Sequence, residues 1–370
     1  MTLFRYALSR LSEDILLLVL LIALIPLLWL SPESPWALHQ LVDWKTVGAL
    51  AGLMILSRGL EVSGYLARAG KWLLTHIPGE RRLAMSLILF SAALSAVITN
   101  DVALFIVVPL TLSLRRVADI PIGRLIIFEA LAVNAGSTLS PIGNPQNLFL
   151  WQASGASFIE FTLAMTPLAV ALTLLLLAIT PLAFPKKPIT VSTVPLEITL
   201  HRRLFWCSLL LYLPFLMFAE FGYAAPAALA ILGLYLVFQR QILLGVDWLL
   251  LLVFVLMFID LNLLANLPVM RELAMQVLGL PGEAFTAGVL TSQVMSNVPA
   301  AIFLYAFTEQ WKLLAWGVSV GGFGLAIGSL ANLIALRLAR QPGLWKEFHI
   351  WSIPVLLAGI LLALLLLSLP

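Results

Sequence analysis

The chain has 370 residues, of which 62% are hydrophobic and only 11% are charged, and its mean hydropathy is +1.05. Soluble domains carry about a quarter charged residues, so this composition excludes an ordinary soluble protein. The formal net charge of +3 comes from arginines between apolar segments and does not indicate a nucleic-acid partner. Cys207 is the only cysteine, and the four histidines are not at metal-ligand spacing, so we expect no disulfide, metal centre or cofactor.

Apolar segments recur along the chain at lengths close to the roughly 20 residues that cross a bilayer as a helix. The clearest of them lie at 15–30, 166–184, 203–219, 224–238, 248–264 and 350–369. Together with apolar segments that contain polar breaks, they predict an all-α polytopic membrane protein with about nine full crossings and two re-entrant helical hairpins.

The distribution of lysine and arginine predicts the orientation of the chain in the lipid bilayer. With the N-terminus in the cytoplasm, all but three of the 21 Lys and Arg residues fall on the cytoplasmic side. The exceptions are Lys45, Arg271 and Lys312. This asymmetry follows the positive-inside rule. We therefore expect a multi-pass protein of the plasma (inner) membrane with a cytoplasmic N-terminus and a C-terminus outside.

Two apolar segments carry a polar break in the middle. Segment 81–116 has an arginine pair at each end, which indicates two cytoplasmic ends, whereas segment 283–310 lies between loops with few basic residues, which indicates two outside ends. Polar backbone persists at membrane depth only where protein or a water-filled cavity surrounds it. Both segments are therefore predicted to be re-entrant hairpins that enter from opposite faces. Their breaks are Thr99-Asn100-Asp101 and Ser296-Asn297.

The two halves of the chain share short motifs in the same order. Because the first hairpin is predicted to enter from inside and the second from outside, the motifs indicate inverted repeats, a common architecture of secondary transporters. The repeats span 1–184 and 203–370, and a cytoplasmic linker at 185–202 joins them. The matched motifs are Asp43-Trp44 with Asp247-Trp248, Pro78-Gly79-Glu80 with Pro281-Gly282-Glu283, Thr99-Asn100 with Ser296-Asn297, and segment 142–148 with 327–333.

Each repeat also contains a predicted broken helix, at about 121–157 in the first and about 313–341 in the second. A regular helix is not expected to continue through the prolines of 140–145, and the glycines of 321–328 have the same role in the second half. Opened backbone N–H groups bind anions and opened carbonyls bind cations, and a hairpin tip exposes similar groups. The hairpin tips and the broken helices are therefore predicted to form the transport site together.

Acidic residues at membrane depth are rare in this chain and are functional candidates. Asp101, at the first hairpin tip, is the first choice for a coupling-ion ligand or proton carrier. Glu129 lies five residues from Arg124, so a structural ion pair and a coupling role both remain open. Glu61 is one turn past Arg58 and is predicted to form a structural pair with it. The acidic residues considered are Asp101, Glu129, Asp260 and Glu61.

The motifs at the breaks resemble a known transporter family. They are Thr-Asn-Asp-Val-Ala-Leu at 99–104, Ser-Thr-Leu-Ser-Pro-Ile-Gly-Asn-Pro-Gln-Asn at 137–147, Ser-Asn-Val-Pro at 296–299 and Gly-Ser-Leu-Ala-Asn at 328–332. In these motifs the chain resembles the ArsB/NhaD branch of the ion transporter superfamily, and within it the YbiR type of anion transporter. The resemblance covers nearly the whole chain.

The resemblance implies a scaffold that forms a homodimer and a transport domain that moves as an elevator. It implies that hairpin tips and broken-helix loops bind a small anionic substrate and a coupling sodium ion or proton. Asn100, Asp101 and Asn297 are the ligands expected for a sodium ion. The positions that match the family's binding motifs are Thr99, Asn100, Asp101, Asn144, Asn147, Ser296, Asn297, Ser329 and Asn332.

These patterns favour an ion-coupled secondary transporter of a small inorganic or organic anion, with sodium/proton antiport as the alternative. Dicarboxylate carriers of the superfamily have Ser-Asn-Thr at both tips, and antiporters of the NhaD type tend to have an acid where Ser296 stands, so this chain departs from both. The predicted site contains no Lys or Arg, which keeps cation transport open. A membrane enzyme fits less well because neither an acidic metal cluster nor a nucleophile–base pair is evident, and a channel would not require inverted repeats.

Overall fold

The computed structural model describes residues 15–30, 35–77, 79–114, 120–188, 197–339 and 341–369. Within these ranges the chain forms α-helices, two short 3-10 helices and no β-strand, which confirms the all-α prediction. Several features used above fall outside the described residues. They are Arg5, Arg10, Pro78, Arg115, Arg116, Arg340 and the middle of the linker, 189–196.

The helix bounds follow the apolar segments and their breaks. The first half contains α1 Ile15–Leu30, α2 Trp44–Val62, α3 Tyr65–His76, α4 Glu80–Val97, α5 Asn100–Ser113, α6 Ile122–Ser137, α7 Pro145–Ser154 and α8 Phe158–Ala183. The second half contains α9 Arg202–Glu220, α10 Ala224–Phe238, α11 Arg240–Leu244, α12 Trp248–Ala265, α13 Pro268–Leu278, α14 Glu283–Met295, α15 Asn297–Tyr305, α16 Trp311–Gly321, α17 Leu330–Ala339 and α18 Leu344–Ser368. The 3-10 helices are Pro35–Leu41 and Ala326–Gly328.

Four described helices, α8, α9, α12 and α18, have at least 18 residues and are apolar enough to cross a bilayer. The pair α2 and α3 adds a fifth span if it is counted as one, with a 53° bend at the break between its members. Shorter apolar helices include α5, α10 and α17. The chain is therefore a polytopic membrane protein, while nine crossings stay a prediction.

The Asp-Trp motif builds the same local structure in both halves. Asp43 and Asp247 each cap the helix that follows, because their carboxylates accept hydrogen bonds from backbone N–H groups of the first turn. The indole N–H groups of Trp44 and Trp248 each donate to the carbonyl five residues earlier, at 2.9 and 2.8 Å. The aspartate cap and the indole hydrogen bond together fix the residue at which α2 and α12 begin.

Close helix contacts in the two halves also correspond. α4 packs against α6, and α14 packs against α16. A Cβ atom on Gly136 would lie 2.0 Å from the carbonyl oxygen of Ala92, and one on Gly317 would lie 2.2 Å from that of Phe285. Only glycine permits this approach of the helix backbones, so any larger residue would push each pair apart.

The two halves interlock around the breaks. α17 packs on α5 and α6, and α15 packs on α7, so each half contributes a short helix to the other. α8 and α18 pack against each other and against this group. We call α4 to α8 and α14 to α18 the site group. α1, α2, α9, α10 and α12 form the flanking group, in which α2 packs on α9 and α10 and α12 packs on α1.

Candidate functional site

The first hairpin tip is attached to the loop of the first broken helix. α4 ends at Val97 and α5 begins at Asn100, whose backbone N–H donates to the carbonyl of Gly143 at 2.9 Å. Gly143 lies in the loop between α6 and α7, the break predicted from its prolines. Asn100 itself is buried. The tip and the loop therefore form one unit with the start of α5 facing inward.

Two asparagines hold the loop of the first broken helix. Asn144 caps α7, because its Oδ1 accepts the backbone N–H of Asn147 at 2.8 Å, and its Nδ2 donates to the carbonyl of Ser137 at 3.0 Å. Asn147 Nδ2 donates to the carbonyl of Thr138 at 3.1 Å. The Oδ1 of Asn147 and the Oε1 of Gln146 are buried without a hydrogen-bond partner among the described residues. These two oxygens are free acceptors beside an opened backbone.

Gln293 holds the loop of the second broken helix in a comparable way. Its Nε2 donates to the carbonyl of Gly321 at 2.6 Å, and its Oε1 accepts the backbone N–H of Leu325 at 2.9 Å. Gln293 lies on α14, so this contact ties the first helix of hairpin two to its neighbouring loop. Sequence reasoning missed this residue because it lies within a helix and outside any break.

Asn134 joins the two halves of the site. Its Nδ2 donates to Asn332 Oδ1 at 2.8 Å, and its Oδ1 accepts the hydroxyl of Ser329 at 3.0 Å. Asn332 Nδ2 in turn donates to the carbonyl of Gly322 at 2.9 Å. Asn134 lies on α6, whereas its partners belong to the second broken helix. A sequence signal existed, since a lone amide in the apolar run of α6 is unusual at membrane depth.

The second hairpin tip has a strained backbone. Ser296 has φ 74° and ψ 157°, a region that is essentially restricted to glycine. The next residue, Asn297, is buried, and its side chain makes no hydrogen bond with another described residue. A Cβ atom on Gly322 would lie 3.1 Å from Asn297 Nδ2, so this tip lies directly against the loop of the second broken helix.

The predicted site residues therefore form two connected clusters. The first cluster contains Asn100, Asn144 and Asn147, and the second cluster contains Asn297, Ser329 and Asn332. Asn134 connects them, because it contacts the second cluster and lies one turn before Ser137, which bonds to Asn144 of the first cluster. Thr99 and Ser296 supply the backbone just before each tip. We call this arrangement the asparagine network. Every oxygen and nitrogen described in it is neutral.

Asp101 lies in the first turn of α5, next to the asparagine network. It is half-buried, and its carboxylate lies close enough to Glu61 on α2 and to the hydroxyl of Tyr212 on α9 to interact electrostatically with both. Asp101 therefore lies where the site group meets the flanking group. Glu61 forms the predicted ion pair with Arg58 at 2.6 Å, which confirms that assignment.

Two other acids are buried in the apolar interior. Glu129 is fully buried and accepts the hydroxyl of Thr111 at 2.5 Å through Oε1, while its Oε2 has no hydrogen-bond partner in the described part of the chain. The ion pair with Arg124 that the sequence left open is not formed, because Arg124 pairs with Glu347 at 2.8 Å. Asp260, on α12, is also buried, and no described residue forms a hydrogen bond with either of its carboxylate oxygens.

Buried polar breaks on several helices of a polytopic chain are typical of membrane transporters, and comparison with known proteins shows that class. The model of the citrate transporter family, CitMHS, matches residues 5–321, most of the chain. The protein is a member of this family.

Individual relatives are also membrane proteins. The chain is 46% identical over 352 residues to the inner membrane protein YbiR of Escherichia coli, covering 95% of this chain and 94% of that one. It is 33% identical over 317 residues to the uncharacterized transporter MJ0456 of Methanocaldococcus jannaschii, covering 85% and 86%. A shorter match, 27% over 128 residues, is to a transporter named arsB of Dictyostelium discoideum, covering 35% and 23%. The resemblance to the ion transporter superfamily is confirmed.

Proposed function

We propose that the protein is an ion-coupled secondary transporter that moves a small inorganic or organic anion across the inner membrane. The observation that carries this proposal is the asparagine network, in which α6 of the first half bonds directly to the broken helix of the second half. Breaks in separate helices that converge on one buried polar site are typical of transporters that work by alternating access.

The proposed architecture is a pair of inverted repeats, 1–184 and 203–370. Three features support it: the matched Asp-Trp caps, the matched α4–α6 and α14–α16 contacts, and the exchanged short helices. The side chain of Gln310, at the end of hairpin two, donates to Glu283 at its start, as expected of a hairpin whose ends lie on one face. The N-terminus is cytoplasmic and the C-terminus is outside, according to the basic residues.

Substrate recognition relies on neutral groups. Asn100 and Asn297 offer amide N–H groups at the two tips, and the starts of α5 and α15 add backbone N–H groups with the positive end of the helix dipole. A sodium ion bound to the free oxygens of Asn147 and Gln146 would offset the charge of the anion. The family description makes citrate the first carboxylate to test.

The proposed movement is an elevator in which the site group slides against the flanking group of a homodimer. The two groups meet at aromatic contacts, for instance between Phe149 on α7 and Phe258 on α12, whose ring centroids are 5.6 Å apart. Hydrogen bonds also join the two groups, from Gln152 Nε2 to the carbonyl of Ala219 at 3.2 Å and from the Phe158 N–H to Glu220 at 2.8 Å, and sliding would require these bonds to break.

Proteoliposomes test this function. We expect saturable uptake of labelled citrate or of a small oxyanion that responds to an imposed sodium or proton gradient, together with exchange against unlabelled substrate inside. Empty liposomes and an Asn100→Ala/Asn297→Ala double variant are the controls. Flux that neither saturates nor exchanges would indicate a channel and would contradict the proposal.

Sodium/proton antiport is the second candidate, and Glu129 favours it. This fully buried carboxyl group has no ion pair with any described residue, as expected of a group that binds a proton. In the same proteoliposomes, an antiporter would exchange sodium for protons without any added anion.

A further inference from the structure

A cavity of about 600 Å³ lies between the end of α2, the start of α9 and α11. Its polar lining is basic or neutral, and no acidic side chain of the described chain lines it. We call it the arginine cavity. Its polar lining residues are Arg58, His201, Arg202, Arg203, Gln239 and Gln241.

The positive charges of the cavity are only partly neutralised. Arg58 pairs with Glu61, but Arg202 and Arg203 are exposed and form no ion pair with another described residue. Both also lie in the first turn of α9, where the helix dipole favours negative charge, and no described side chain caps this helix. Two cations beside unpaired backbone N–H groups leave a strong preference for an anion in the cavity.

Exposed apolar side chains lie next to the lining residues in the sequence, and we call them the rim. Trp206 follows the arginines by one turn and is 47% exposed, while Phe238 and Leu244, which flank the glutamines, are 72% and 86% exposed. The predicted orientation puts this end of the helices at the cytoplasmic leaflet, where anionic lipids reside. A soluble anion would not need such a rim, whereas the acyl chains of a lipid would lie along it.

We propose that the arginine cavity binds the phosphate headgroup of an anionic phospholipid. The arginines and glutamine amides hold the phosphate oxygens, and the acyl chains cover Trp206, Phe238 and Leu244. Basic pockets between transmembrane helices on the cytoplasmic side recognise headgroups in this way. Because α2 and α9 belong to the flanking group, a bound lipid would stabilise the part of the protein proposed to remain still during transport.

Native mass spectrometry of the detergent-purified full chain tests this site, with phosphatidylglycerol as the anionic probe and phosphatidylcholine as the neutral one. We expect a specific phosphatidylglycerol adduct on the unmodified protein. An Arg202→Gln/Arg203→Gln variant should bind it at least about tenfold more weakly, since each basic residue contributes on the order of a factor of five. Both arginines are exposed, so thermal unfolding without lipid should be unchanged.

The matched control is Arg337→Gln/Lys346→Gln, which removes two exposed positive charges from the same predicted face but outside the cavity. It should retain the adduct. Equal loss in both variants would show attraction to overall charge and overturn the proposal. Equal binding of phosphatidylglycerol and phosphatidylcholine would also overturn the proposal. Displacement of the adduct by millimolar inorganic phosphate would overturn it in favour of a site for a free anion.

Discussion

At the scale of single residues, the asparagines of the network differ in how fully their hydrogen bonds are used. Asn134 and Asn332 are bonded through both amide atoms, to each other and to Ser329 and Gly322. Asn297 makes no such bond within the described chain, and the Nδ2 of Asn100 is also without an acceptor there. Asn134 and Asn332 therefore build the site, whereas the Nδ2 groups of Asn297 and Asn100 are available to a ligand.

This division predicts opposite phenotypes for two alanine variants. Asn134→Ala should destabilise the protein by about 1–3 kcal/mol, because it removes the donor to Asn332 Oδ1 and the acceptor of the Ser329 hydroxyl, and both groups are buried. Asn297→Ala should cost less stability than Asn134→Ala, because it leaves no described polar group without a partner, and it should abolish transport. Unfolding in detergent and uptake per folded molecule measure the two effects, with Asn262→Ala on α12 as a control that retains uptake. Equal loss of stability in both variants would show that Asn297 is structural.

Asp101 and Glu129 are the two candidates for the coupling residue. Asp101→Asn keeps the size of the side chain and deletes its charge, so we expect it to lose gradient-driven accumulation while retaining substrate exchange. Glu129→Gln is the matched variant for the other acid. A reversed result, with loss only in Glu129→Gln, would reassign coupling to Glu129. Normal gradient dependence in both variants would exclude both residues.

At the scale of helices, the two hairpin tips differ in backbone conformation. Ser296 is in the strained region described above, whereas Thr99 has φ −63° and ψ 147°, which any residue adopts. Such strain has a free-energy cost of about 1–3 kcal/mol and persists where a side chain is needed for function. The hydroxyl of Ser296 is therefore expected to contribute to binding at the second tip.

Replacing each tip residue with glycine tests this interpretation. Ser296→Gly should raise the free energy of unfolding by about 1 kcal/mol and reduce uptake, because glycine relieves the strain and removes the hydroxyl. Thr99→Gly, the control, should lower stability, since glycine there only increases the freedom of the unfolded chain. Unchanged uptake by Ser296→Gly would assign the strain to packing alone.

The helix breaks were predictable from sequence because their causes are local. Proline and glycine end α6 and α16, and Asn144 is a helix cap whose chemistry is visible in the sequence. The partners of Asn134 and Arg124 were not predictable, because each lies about two hundred residues away. Proximity in sequence suggested an ion pair between Arg124 and Glu129. In the folded chain Arg124 pairs with Glu347, and Glu129 accepts the hydroxyl of Thr111.

At the scale of the whole molecule, the elevator proposal predicts that a link between the two helix groups stops transport. Cysteines at Phe149 and Phe258 in a Cys207→Ser background, joined by a short bifunctional thiol reagent, should block uptake until the link is cleaved. Cysteines at Phe161 and Trp311, whose rings stack at 5.2 Å within the site group, are the control and should not block it. Full uptake with the first pair linked would contradict sliding at this contact.

The central claim is that the two hairpins enter the membrane from opposite faces, and cysteine labelling tests it most directly. In oriented membranes containing the Cys207→Ser background, single cysteines at Arg81 and Ser113 should react with an impermeant thiol reagent only from the cytoplasm. Single cysteines at Glu283 and Gln310 should react only from outside. If the two ends of either hairpin label from different faces, that segment crosses the membrane, and the inverted-repeat account is wrong.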